Sequence, residues 1–188
     1  MEVSSSLLVA MMFVMVLSIG IGNILMGLSS LLSQRSPREI DWLPTSWVLL
    51  LLLQHLNMFW HTLTILEAEE WGFGGFLYVV TGPILLFLAT SLLLADPVYA
   101  GPSDAREHYF RVARRFFSIM AVLMLWMVGA DFVLGKGFTA AGGWNAAAMP
   151  LLLALATSQR RSLHAVATGV AWALSLSLLA LRGFGLIG

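Results

Sequence analysis

Apolar residues in this chain fall into six long runs separated by short polar or glycine- and proline-bearing stretches. The runs lie near 6–33, 46–66, 74–95, 116–134, 140–158 and 162–181. A helix needs roughly 20 mainly apolar residues to cross a bilayer, and the first three runs exceed that length while the last three are close to it. The breaks hold residues that end helices or turn the chain: Arg35-Ser36-Pro37-Arg38, Trp71-Gly72-Phe73-Gly74-Gly75, Asp96-Pro97 and Gly135-Lys136-Gly137. Only the connection from 96 to 115 is long, and its second part is itself patterned. There Asp104, Glu107, His108, Arg111 and Arg115 share one helical face, with Tyr109, Phe110, Ala113, Phe116 and Phe117 on the other. The pattern predicts an all-α polytopic membrane helix bundle, one transmembrane domain over 1–188, with an amphipathic helical extension at 104–115.

Composition agrees with this picture. Of 188 residues, 59% are hydrophobic and 11% charged, against about 25% charged in a soluble domain. Met1-Glu2-Val3-Ser4 carries no Lys or Arg before a long apolar run, so that run reads as a retained first helix and not as a cleaved signal. The absence of cysteine removes disulfides, thiolate metal sites and iron–sulfur clusters. Zero net charge and little soluble surface give no reason to expect a nucleic acid partner.

Charge placement predicts orientation. The first, third and fifth connections, with the 104–115 extension, hold Arg35, Arg38, Arg106, Arg111, Arg114, Arg115, Arg160 and Arg161, eight of the ten basic residues. Short loops rich in Lys and Arg stay in the cytoplasm. The second connection is acidic, with Glu67, Glu69 and Glu70. Six spans then place both termini outside the cytoplasm. The lipid bilayer is the expected partner, and Arg111, Arg114 and Arg115 are placed to meet anionic headgroups at about 1 kcal/mol each. Trp42, Trp47, Trp71, Phe73 and Phe76 read as interfacial aromatic anchors.

The second run carries unusual polarity. At about 100° per residue, Gln54, Asn57, His61 and Thr64 fall within about 80° of one another and form a stripe running toward the acidic connection. His55 and Thr62 form a second, weaker pair. Amides and imidazole cannot face lipid cheaply. The stripe therefore lines a polar pathway or serves as interhelical glue, and glue is the commoner role of such side chains. In the first run Gly20, Asn23, Gly27 and Ser30 share a face of small residues suited to close helix packing, with Asn23 available to the amides of the second run. Pro83 and Pro150 each predict a kink. Asp131 lies near a helix end, within reach of headgroups or of Lys136. The segments 83–91 and 150–158 match at seven of nine positions, either as a trace of duplication or as a coincidence of Leu- and Ala-rich sequence.

Several chemistries lack their residues. The only lysine, Lys136, sits in a connection, where a retinal Schiff base has no place. His55 and His164 lie at different depths for a shared haem. There is no H-E-x-x-H, G-x-S-x-G, P-loop or dinucleotide fingerprint. No cofactor and no metal are expected, and an enzyme is the least favoured class.

The Trp- and His-bearing second run, the Trp71-Gly72-Phe73 turn, the Pro83 run and the His108-Tyr109-Phe110…Arg115-Phe116-Phe117 segment together resemble a group of bacterial multi-pass membrane proteins with no established activity. The resemblance spans Trp42 to Phe117, about 40% of the chain. It implies a bacterial inner membrane and no particular chemistry. Two functional expectations follow from the residues: a small transporter or channel component with a pathway along the second helix, or a non-transporting structural, assembly or accessory subunit.

Overall fold

The computed structural model describes residues 4–33, 41–67, 71–94 and 102–183. Of these, 91% are helical and none lies in a strand. The helices are α1 (Ser5–Ser33), α2 (Trp42–Trp60), α3 (Thr62–Leu66), α4 (Phe73–Leu94), α5 (Pro102–Val133), α6 (Ala140–Thr157) and α7 (Arg161–Gly183). α2 and α3 form one span interrupted at His61, so six units are long and apolar enough to cross a membrane. The bundle is the one the hydrophobic pattern predicts.

Two boundaries differ from the apolar runs, each for a local reason. The second helix starts at Trp42 because Asp41 caps it: its carboxylate accepts the Leu43 N–H at 3.1 Å, and its carbonyl accepts the Thr45 hydroxyl at 3.0 Å. The predicted extension and the fourth run are one continuous helix, α5, since no proline follows Pro102 before Val133. α5 ends where Gly135 takes a positive φ of 71°, with the Lys136 N–H bonded to the Asp131 carbonyl at 2.8 Å. That bond from three residues past the helix back to its last turn satisfies a carbonyl the helix cannot.

Packing closes the spans into a ring. α1 lies on α4, α4 on α5, α5 on α6 and α6 on α7, and α2 completes the circuit between α7 and α1. α2 also touches α4 and α5, but among the described residues its backbone makes no approach to α6. The core is apolar, with Phe13, Leu17, Leu51, Leu86, Leu123 and Leu155 almost fully buried. The outer surface is apolar too: Met15, Ile19, Met26, Leu125, Val166 and Leu176 are each more than half exposed. Water would penalise such a surface and lipid does not.

Two expectations are corrected. Trp47 is no headgroup anchor; it is 3% exposed and meets Phe117 and Phe116 edge-on at 4.9 and 5.8 Å. Trp42, five residues earlier, does face outward. His108 leaves the polar face of α5, because that helix starts against the end of α4 and the His108 ring bonds the Leu92 carbonyl at 3.1 Å. This satisfies one of the carbonyls a helix leaves unpaired at its C-terminus. The matched segments of α4 and α6 occupy different surroundings: Pro83, Leu86 and Thr90 are buried, whereas Pro150, Leu153 and Thr157 are exposed.

Candidate functional site

The interruption of the second span falls on the stripe itself. The His61 N–H reaches both the Met58 and the Phe59 carbonyls, and its φ and ψ of −66° and −10° tighten the chain before α3 resumes. Short tightened turns inside a helix often mark a functional hinge or local strain. Gln54, Asn57, His61 and Thr64 are all half-buried.

Two cavities flank this helix. The first, about 60 Å³, is bordered by residues that include His61, Tyr78, Trp126, Asp131 and Asn145. The second, about 100 Å³, is bordered by residues that include Trp47, Gln54, Trp144 and Asn145. Each has room for a few waters. They exist because α2 stands off from α6, and Asn145 of α6 borders both. The structure thus brings Gln54 and His61 onto two adjoining spaces and leaves Asn57 and Thr64 bordering neither. Gln54 donates to the Met127 sulfur at 3.2 Å. Sulfur is a weak acceptor, so this bond holds the amide loosely.

Asp131 forms the acidic wall of the first cavity. Its carboxylate accepts the Thr139 hydroxyl, while the Thr139 oxygen accepts the Gly142 N–H at 2.9 Å and caps α6. The connection between α5 and α6 thereby fixes the carboxylate through Thr139; no ion pair with Lys136 forms, that residue supplying only its backbone N–H to the Asp131 carbonyl.

Tyr78 and Trp126 lock α4 to α5 beside it. The Tyr78 hydroxyl donates to the Trp126 carbonyl at 2.7 Å, and the Trp126 indole N–H donates to the Tyr78 carbonyl at 2.7 Å. The rings stack at 5.6 Å. Pro83 has no N–H to offer the preceding turn, and the carbonyl next to that gap is the one the indole takes. Gly82 and Gly129 make the room: a Cβ on Gly82 would strike the Trp126 ring, and one on Gly129 the Tyr78 hydroxyl.

The pair read as weaker is the more deeply placed. His55 is fully buried, its Nδ1–H donating to the Leu51 carbonyl at 2.8 Å. Its Nε2 has no hydrogen-bond partner and rests against Gly20, where any Cβ would collide with the ring. The Thr62 hydroxyl is likewise buried without a partner. On α1, Gly27 is buried and Asn23 half-buried, and that helix lies chiefly on α4. Arg111, Arg114 and Arg115 are exposed, and Arg111 pairs with Glu107 at 2.9 Å.

A second polar cluster sits at the basic end of the bundle. His164 of α7 and Tyr109 of α5 are both buried, with the Tyr109 hydroxyl 2.8 Å from Nδ1 and the Ser158 carbonyl 2.9 Å from Nε2. A carbonyl only accepts, so Nε2 carries the proton; in the neutral ring Nδ1 then accepts from the tyrosine. Asp41 adds an ion pair of 3.7 Å to Arg161. Sequence reasoning missed Asn145, Tyr78, Trp126 and the Tyr109–His164 pair. A lone asparagine in an Ala-rich run was the one available signal for Asn145; the others depend on which helices become neighbours.

Among the described residues, no group of three or more His, Asp and Glu is placed to hold a metal ion. Comparison with protein-family models, curated proteins and solved structures returns no match.

Proposed function

We propose that the protein is a small transporter or channel component of a bacterial inner membrane, with a polar pathway along α2. The observation that carries the reading is the pair of adjoining cavities, bordered by Gln54 and His61 and joined at Asn145, where α2 stands off from α6. The pathway opens toward the end of the bundle that carries the acidic connection, which the charge pattern puts outside the cell. His61 supplies the imidazole that borders the first cavity.

A second reading, a non-transporting structural, assembly or accessory subunit, draws on the His55–Gly20 contact and the Gln54–Met127 bond, which are packing devices. Reconstituted vesicles separate the two. In a pathway protein, pH-dependent proton or solute flux is lost in His61→Leu and Asn145→Leu while thermal stability in detergent stays nearly unchanged. Loss of stability in both variants, with no flux from the unmodified protein, ends the transport reading and leaves the accessory one.

A further inference from the structure

The cavity beside His61 has a lining that selects by charge. Among its described residues there are one carboxylate, Asp131, one imidazole, His61, which is uncharged in its neutral form, and no Lys or Arg. The same cavity is bordered by Asn145 and by the aromatic residues Phe13, Tyr78 and Trp126. One fixed negative charge in a half-enclosed, largely apolar space attracts a cation and repels an anion, and aromatic rings add to the attraction.

The same lining distinguishes among cations. Hard metal ions such as calcium and magnesium take six or more oxygen ligands, and this wall offers few. Soft metal ions favour thioethers, but of the two methionines here Met127 already accepts the Gln54 amide. An ammonium group needs one carboxylate and a few acceptors for its N–H bonds, and its methyl groups suit aromatic and aliphatic walls. The volume of about 60 Å³ restricts it to a few heavy atoms.

We propose that this cavity is a binding site for a small ammonium-class cation, held by the Asp131 carboxylate beside Trp126 and Tyr78. The site rests on the reading of the α2 cavities as solute space and adds the chemical class of the solute. Asp131 is the charge that binds; Thr139 is the residue that positions it, through the hydroxyl bond described above.

The test is calorimetric titration of the full chain in nanodiscs with methylammonium chloride, alongside sodium acetate and tetraethylammonium chloride. Methylammonium binds saturably, and the acetate anion and the bulkier cation bind far more weakly. Asp131→Asn weakens methylammonium binding about tenfold or more, as expected for loss of a charged hydrogen-bond acceptor, and Asp131→Glu restores most of it. Ala130→Leu, which fills the cavity without touching its charge, also removes binding and serves if the asparagine variant does not fold. No saturable binding, equal binding by a folded Asp131→Asn protein, or equal binding of acetate or tetraethylammonium overturns the assignment. Flux in vesicles is scored separately. Methylammonium binding without flux supports the site and ends the pathway; pH-dependent flux without methylammonium binding keeps the pathway and overturns the site.

Discussion

Gly20 sets how closely α1 meets the second span, because the buried His55 ring occupies the space a side chain would need. Gly20→Ala therefore forces the imidazole or the helix to move, and it lowers stability by about 1–3 kcal/mol, the usual cost of overpacking. Gly22, two residues on, has open space where its Cβ would be. Gly22→Ala is expected to be neutral or to gain up to about 1 kcal/mol from reduced backbone freedom in the unfolded chain. Thermal unfolding in detergent compares the two, and equal effects would show that the His55 contact does not constrain the helix. The face of small residues containing Gly20 is legible from spacing alone. Its occupant is not: the sequence stripe points to Gln54, Asn57, His61 and Thr64, yet the residue against Gly20 is His55, off the stripe.

At the scale of elements, the lock between α4 and α5 explains why Gly82-Pro83 sits in mid-helix. A sequence reader sees a kink. The structure adds that the loosened turn presents the Tyr78 carbonyl to the Trp126 indole and that Gly82 admits the ring. Tyr78→Phe removes one hydroxyl bond and is expected to cost about 0.6–2 kcal/mol, the range for interhelical hydrogen bonds in membranes. Gly82→Ala displaces the whole indole and is expected to cost more than Tyr78→Phe. The reverse order in unfolding experiments would place the stabilisation in the hydroxyl bond and not in the close approach. Pairings of this kind are invisible in sequence because Tyr78 and Trp126 lie 48 residues apart, on helices whose relative rotation only packing sets.

For the molecule as a whole, orientation is the property that charge predicts most directly. With the basic connections inside, a cysteine introduced by Ser158→Cys is shielded from an impermeant thiol reagent added to intact cells, and one introduced by Gly72→Cys is labelled. The opposite pattern reverses the bundle and turns the His61 cavity toward the cytoplasm. What the sequence by itself determined is the number of spans, their limits to within a few residues and the polarity of α2, because each depends on local composition and helical period. The Asp41 cap and the unbroken α5 shift those limits without changing the count. Tertiary structure alone decided which polar residues become neighbours. The ring order that parts α2 from α6 opens the two cavities, bringing Asn145, Gln54, His61 and Asp131 to shared walls and burying Trp47, His55 and His164. Helical period states which residues share a face; only the packed neighbours determine what that face meets.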